Sequence, residues 1–394
     1  MNPDLEKRVV LVVLDSVGIG EAPDAAAFGD AGSDTLRHIA ERVAGFKVPN
    51  LARLGLAGIE GLSYLPVSGS FNGAFGRAVE VAKGKDTTSG HWEIAGLHHD
   101  LIFPYFPEGF PAAFIAEFEK RIGRKIIGNK VASGTEIIDE LGDEHVRTGS
   151  PIVYTSSDSV FQIAMHESVI PIEEQYRICS IAREMLTGDV AVGRVIARPF
   201  TGSSGAFKRT ANRKDYSVLP PGDTLLDKVK ASGLPVGAVG KIYDIFAGQG
   251  VTESLKTADN NEGIDKTIEL MRRQKGGLIF TNLVDFDMLF GHRRDPQGYA
   301  SCLMEFDARL PEILSALKPG DLFILTADHG NDPTFRGTDH TREYVPIVVA
   351  GSIVASGASL GTRSTFADIA ATAAAHLGIS STLYGTSFYA DITA

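Results

Sequence analysis

Three mostly apolar, β-rich runs of strand length each stop at an acid: residues 9–14 before Asp15, 277–284 before Asp285 and Asp287, and 322–327 before Asp328 and His329. Continuous runs of this kind suit strands covered on both faces, as in a parallel sheet. Between them, residues 33–43, 223–230, 263–273 and 304–317 repeat apolar side chains at the helical period, several with Asp or Ser near their starts. Strand alternating with helix predicts an α/β fold built on a doubly wound, mostly parallel sheet. Ligands of such sheets gather at the carboxyl ends of the strands, which is where these acids fall.

The rhythm changes between about residue 100 and residue 220. Phe103-Pro104, Pro107-Glu-Gly-Phe-Pro111 and Leu219-Pro-Pro-Gly222 punctuate this stretch, with helical spacing at 111–122 and 173–186 and strand candidates at 152–155 and 193–200. The expectation is a smaller α+β cap domain, 101–219, inserted into a discontinuous core of 1–100 and 220–394, with Pro220-Pro221-Gly222 as one hinge. No internal repeat is present.

Length and composition narrow the class. At roughly 150 residues per domain, 394 residues suggest two or three domains. A chain 43% hydrophobic and 22% charged is an ordinary globular one, and no apolar run approaches the roughly 20 residues of a membrane span. Forty-nine acids against 38 bases leave a net charge of −11, which repels nucleic acid and anionic membranes. An anionic substrate must therefore be captured by local cations. Two cysteines, Cys179 and Cys302, and a start without the apolar core of a signal peptide predict a reduced cytoplasm.

The candidate chemistry begins with mixed Asp and His donors, which suit Mn, Zn or Fe better than Mg or Ca. Asp287 and His292 stand five residues apart around a glycine that permits a sharp turn, Asp328 and His329 adjoin at a strand end, Asp339 and His340 follow in a loop, and Asp15 closes the first run. A single such pair reads as a surface or capping histidine; their repetition at strand ends points to a binuclear metal site. Gly84-Lys-Asp-Thr-Thr-Ser-Gly-His-Trp92 places three hydroxyls in a glycine-flanked loop. Alone it is a helix cap. Beside a dinuclear site it offers a hydroxyl nucleophile for phosphorus, and the spacing does not choose among Thr87, Thr88 and Ser89. In the middle stretch, Arg194, Arg198, Lys208, Arg209 and Arg213 sit in apolar or glycine-rich surroundings, and arginine's planar fork suits phosphate. Lys241, after the run 235–239, is a further substrate-binding candidate.

Five blocks carry a family resemblance: Asp15-Ser-Val-Gly-Ile-Gly-Glu-Ala-Pro-Asp24, Gly84-Lys-Asp-Thr-Thr-Ser-Gly-His-Trp-Glu93, Gly128-Asn-Lys-Val-Ala-Ser-Gly-Thr-Glu-Ile137, Asn282-Leu-Val-Asp-Phe-Asp-Met-Leu-Phe-Gly-His-Arg-Arg-Asp295 and Thr326-Ala-Asp-His-Gly-Asn-Asp332. They closely resemble bacterial phosphopentomutases of the alkaline phosphatase superfamily, and the match runs essentially end to end. The resemblance implies interconversion of ribose or deoxyribose 1-phosphate with the 5-phosphate in nucleoside salvage. It implies two Mn²⁺ ions, a phosphorylated threonine, and activation by a catalytic sugar bisphosphate such as glucose 1,6-bisphosphate or ribose 1,5-bisphosphate. Carried over by position, the nucleophile is Thr87; Asp15, Asp328, His329 and Thr87 hold one metal, and Asp287, His292 and His340 the other. Asp158, Arg194 and Arg209 fall where the family's cap contacts substrate. Two related enzymes share this metal chemistry: a phosphoglycerate-type mutase, which uses serine, and a phosphomonoesterase, which needs only the core. A metal-dependent binding protein would have no need of the hydroxyl loop.

Overall fold

The run at 9–14 forms β1 (Arg8–Leu14), in which every residue is buried. The computed structural model describes residues 6–393 except 102, 157–158 and 381–382. The chain divides into two units, Met1–Asp100 with Pro220–Ala394, and Leu101–Leu219. After β1 the larger unit adds β2 (Ala74–Ala78). The smaller unit then supplies β3 (Ile127–Val131), β4 (Ile152–Thr155), β5 (Val160–His166), β6 (Arg194–Thr201), β7 (Lys208–Arg209) and β8 (Lys214–Ser217). The chain returns to the larger unit with β9 (Val236–Val239), β10 (Glu253–Leu255), β11 (Gly277–Leu283), β12 (Asp321–Thr326), β13 (Val345–Ala350) and β14 (Ser359–Arg363).

In the larger unit these strands form one sheet in the order β10-β9-β11-β1-β12-β13-β2-β14. β1 lies between β11 and β12 and is parallel to both, with Leu14 opposite Leu283 and Val13 opposite Thr326. All residues of β1, β11, β12 and β13 are buried, as strands covered on both faces must be. The α/β sheet is mostly parallel as expected, the exception being β13, which runs antiparallel to β12 and β2. Residues 327–344 contain no crossover helix, so the chain turns back instead of crossing over. Aspartates start the helices: Asp34 accepts from the Arg37 amide, Asp259 from Glu262 and Asp295 from Gly298. The helix expected from 304 begins at Pro296, since proline at the first helical position loses no hydrogen bond there, and it continues through Pro311 to Ser315. Among the described residues, no helix is long and apolar enough to cross a membrane.

The smaller unit has its own sheet, β3-β4-β5-β6-β7, with β8 paired to β6. One face packs on helices Ala112–Ile122 and Ile172–Met185 through Phe114, Phe118, Phe161, Ile178 and Val195. The other packs on helix Glu136–Thr148 through Ile137, Ile138, Tyr154 and Phe200. Phe161 is fully buried against Phe110, Phe114 and Phe118, with ring centroids 4.7–5.7 Å away. Truncating such a residue to alanine costs about 3–5 kcal/mol. The sequence suggested two helices and two strands here, against three helices and six strands among the described residues. Helix Glu136–Thr148 hides because its buried residues are few among its charges, and β5 because Gln162 and His166 interrupt its apolar run.

Candidate metal centre and nucleophile loop

The carboxyl ends of β11, β1 and β12 deliver the first donors side by side. Asp15 directly follows β1, its amide bonded to the Leu283 carbonyl at 3.1 Å. The next residue, Ser16, turns left-handed (φ 73°), so that its amide donates to Asp328 Oδ1 at 3.0 Å. Asp328 and His329 leave β12 fully buried. After β11 the chain makes a π-helical turn, Phe286–Gly291, in which the His292 amide donates to the Asp287 carbonyl at 3.1 Å. That five-residue period puts Asp287 and His292 on one side of the turn. Gly291 is needed for close approach rather than for a sharp turn, because a Cβ there would stand 2.8 Å from the Asn331 amide nitrogen. His340 arrives from the loop before β13, held by paired backbone bonds between Gly330 and Thr341.

Two donor clusters result. Asp15, Asp328 and His329 form one and Asp287, His329 and His340 the other, with ligand atoms in each within 4.8 Å of one another. His292 Nε2 joins the second at 3.1 Å from Asp287 Oδ2 and 3.1 Å from His340 Nε2. Each imidazole is oriented the same way. His292 Nδ1 donates to the Thr338 carbonyl at 2.7 Å, His340 Nδ1 to Lys85 at 2.9 Å, and His329 Nδ1 to Gly330 at 3.1 Å. A carbonyl only accepts, so each Nδ1 carries its proton and each Nε2 turns its lone pair into the cluster.

The donor set fits a metal on three further observations. Two Nε2 atoms facing at 3.1 Å must share a cation, a proton or a metal ion, between their lone pairs. Asp15 Oδ1 is buried with no hydrogen-bond partner, Asp328 Oδ2 faces His91 Nδ1 at 3.1 Å and His329 Nε2 at 3.3 Å, and the buried carboxylates of Asp328 and Asp287 both repel that of Asp15. The protonation energies reflect this crowding. Burial raises the Asp15 carboxyl well above the usual range, with repulsion from Asp328 and Asp287 adding to it. Burial also opposes charge on Asp287, but His340 and His292 hold it below that range. Burial drives His329 down to about 4, whereas His340, also buried, is lifted to about 10 by Asp287.

The hydroxyl loop opens helix Thr87–Ile94, capped by Asp86, whose Oδ1 accepts from the Thr88 and Ser89 amides at 3.1 Å each. The Ser89 hydroxyl donates to Asp86 Oδ2 at 2.7 Å and is thereby committed to the cap. Thr87 Oγ1 lies 3.2 Å from His329 Nε2. The helix is fixed from below by Glu93, which accepts from the Val81, Ala82 and Phe366 amides, and Gly90 lets it approach, since a Cβ there would meet the Asp328 carbonyl at 2.1 Å.

The structure thus brings Asp15, Thr87, Asp287, His292, Asp328, His329 and His340 together. Lys241 follows β9 in the same unit; its Nζ lies 3.8 Å from Met288 Sδ, and its charge lowers the Asp15 pKa. Arg194 and Arg209 belong to the smaller unit, on β6 and β7, with Arg194 3.8 Å from Asp215 and Arg209 exposed. Asp158 lies outside the described residues. Several partners escaped the sequence reading. Asn282 Nδ2 donates to Asp15 Oδ2 at 2.7 Å, Asn331 Nδ2 to Asp287 Oδ1 at 2.7 Å, and His91 Nδ1 stands 3.1 Å from Asp328 Oδ2. His91 had a signal, one helical turn beyond Thr87 in the same block. In the smaller unit, Tyr154 is buried with an unpartnered hydroxyl, and Arg198, Arg209 and Arg213 all act on it electrostatically.

A family model described as the Metalloenzyme superfamily matches residues 7–381. A phosphopentomutase of Caldanaerobacter subterraneus subsp. tengcongensis is 59% identical over 386 residues, 98% of this chain and 98% of the relative. One from Acetivibrio thermocellus is 58% identical over 386 residues, 98% of this chain and 100% of the relative. Among solved structures, the PH0037 protein from Pyrococcus horikoshii is similar with a TM-score of 0.49 and 14% identity, over 96% of this chain and 99% of that one. Identity of this order across nearly the whole length, together with the metalloenzyme match, decides the assignment: the chain belongs to the phosphopentomutases, isomerases of the metalloenzyme superfamily.

Proposed function

We propose that this chain interconverts ribose or deoxyribose 1-phosphate with the 5-phosphate by carrying a phosphoryl group on Thr87 Oγ1. The observation that carries this reading is the position of that oxygen, 3.2 Å from Nε2 of the histidine common to both donor clusters. Asp15, Asp328, His329 and Thr87 would hold one Mn²⁺, and Asp287, His292 and His340 the other. Bound there, the pair would favour the ionised threonine hydroxyl and stabilise charge on both the attacking and the leaving oxygen.

A catalytic sugar bisphosphate, such as glucose 1,6-bisphosphate or ribose 1,5-bisphosphate, charges Thr87: the Oγ1–P bond forms as a sugar O–P bond breaks, the threonine proton balances the freed sugar oxygen, and the sugar monophosphate leaves. The 5-hydroxyl of a pentose 1-phosphate then attacks phosphorus. Its O–P bond forms as the bond to Thr87 Oγ1 breaks, and the hydroxyl proton balances the freed threonine oxygen. The resulting 1,5-bisphosphate presents its other end, returns the 1-phosphoryl group to Thr87, and leaves as the 5-phosphate. The amino terminus of helix Thr87–Ile94 favours the anion held on its first residue.

In this reading residues 101–219 serve as the cap, with Arg194 and Arg209 gripping the phosphate that does not react, Asp158 contacting the substrate, and Lys241 contributing from the core. That grip favours a sugar hydroxyl over water as acceptor. The physiological setting we propose is nucleoside salvage in a reduced cytoplasm, where the buried Cys179 and Cys302 remain thiols. Mass-spectrometric mapping after incubation with glucose 1,6-bisphosphate and Mn²⁺ tests the nucleophile. Phosphate is expected on Thr87; phosphate on Thr88 or Ser89 alone contradicts the assignment.

A further inference from the structure

Arg294 stands just past the ligand His292, and no step above uses it. Its backbone is left-handed (φ 54°), a conformation that residues other than glycine rarely adopt. Its half-buried guanidinium donates to five acceptors, none of them a carboxylate. Nη1 reaches the Gly291 carbonyl at 3.2 Å, Asn331 Oδ1 at 2.6 Å and the Asp332 carbonyl at 2.8 Å. Nε reaches the Gly337 carbonyl at 2.5 Å and Nη2 the Asp339 carbonyl at 3.0 Å.

These acceptors come from three chain segments, and each leads to one ligand of the second cluster. Gly291 immediately precedes His292, and Asp339 immediately precedes His340. Asn331 passes the contact to Asp287 Oδ1 through its own amide nitrogen. The last link depends on amide orientation: with Asn331 Oδ1 bonded to Arg294, its NH₂ must face the Asp287 carboxylate, whereas the flipped amide would set oxygen against oxygen. The other cluster is braced separately, Asp15 by Asn282 and Asp328 by Ser16 and His91, and none of these bonds involves Arg294.

The geometry points to Arg294 as a positioning residue that sets the Asp287–His292–His340 half of the site, so that metal occupancy there can be lost without losing the other half. This rests on the two-metal reading above. A single fork that ties three segments together cannot be replaced by an ammonium, which has neither the plane nor the number of donors.

The test is Mn²⁺ titration of chelator-treated full-length protein by calorimetry, with electron paramagnetic resonance separating isolated from magnetically coupled ions. The proteins compared are the parent, Arg294→Gly and Asn331→Ala. Glycine accepts the left-handed backbone, so Arg294→Gly removes the fork without backbone strain. The parent should bind two coupled ions. Arg294→Gly should keep one ion at near-parent affinity and bind the other about 10–100-fold more weakly, leaving an isolated-ion spectrum, as expected when a partner that orients ligands is removed. Asn331→Ala should shift in the same direction, and free guanidinium should restore coupling in Arg294→Gly. Two ions at parent affinity in Arg294→Gly, or equal weakening at both halves, overturns the assignment. If Arg294→Gly does not fold, Arg294→Lys is read by the same two criteria. A parent that fails to bind two ions sinks the two-metal reading instead, a result separate from any behaviour of the variants.

Discussion

Thr87 and Ser89 show how neighbouring hydroxyls on one helical turn part company: one faces His329 Nε2, the other completes the Asp86 cap. Ser89→Ala should therefore cost about 1 kcal/mol in urea unfolding and leave isomerisation largely intact. Thr87→Ala should fold normally and lose more than about a thousandfold in turnover. The reverse pattern would exchange their roles. Replacing His292 or His340 by alanine should lower metal content and turnover together, as measured by elemental analysis beside the isomerisation assay; full activity in either variant would remove it from the ligand set. The donor side chains that the structure gathers were legible as residue types in the sequence, because acids and imidazoles at strand ends advertise themselves. The choice among Thr87, Thr88 and Ser89 was not, since it depends on the extended backbone of Asp86 (φ −105°, ψ 158°), which aims its carboxylate at two amides and one hydroxyl. Asn282 and Asn331 were hidden for a similar reason: an asparagine in a run gives no sign of which carboxylate it will meet.

Among elements, β1, β11 and β12 were readable because full burial leaves an unbroken apolar signature, whereas β5 and helix Glu136–Thr148 were not. Those two are joined by a polar link. His145 Nδ1 donates to the Ser150 carbonyl at 2.7 Å, and its Nε2 accepts from the His166 amide at 2.8 Å, which requires a neutral ring. Burial lowers the His145 pKa below its ordinary 6.5, outweighing the bond to the Ser150 carbonyl, which acts the other way. A depressed histidine binds its proton more readily in the unfolded chain, so its contribution to stability is intact above the unfolded value and falls as pH drops below it, levelling off beneath the folded value. Unfolding measured from pH 8 to pH 5 should show this decline starting near 6.5, and His145→Gln should flatten that part of the profile. Superimposable profiles would mean that the link does not titrate. The π-helical turn after β11 was also invisible, because a five-residue Asp–His spacing fits several turns.

For the molecule as a whole, net charge and phosphate affinity point in opposite directions. A chain of net charge −11 must concentrate its cations locally, and in the smaller unit Arg198, Arg209 and Arg213 act together on the buried Tyr154 hydroxyl. The arginines were legible as residue types, but their convergence was not, because it depends on how β4, β6 and the chain around β7 pair. If the proposed cap grips the unreactive phosphate, Arg194→Ala and Arg209→Ala should slow isomerisation while the ratio of phosphate released to isomer formed rises, at unchanged metal content. Equal falls in both rates would remove the cap from the mechanism. The most direct test of phosphoryl transfer between sugar positions is phosphorus NMR of ribose 5-phosphate incubated with the enzyme, Mn²⁺ and a catalytic amount of glucose 1,6-bisphosphate. A growing ribose 1-phosphate resonance that reaches equilibrium, with little inorganic phosphate, is the predicted result; inorganic phosphate accumulating without any ribose 1-phosphate would contradict it.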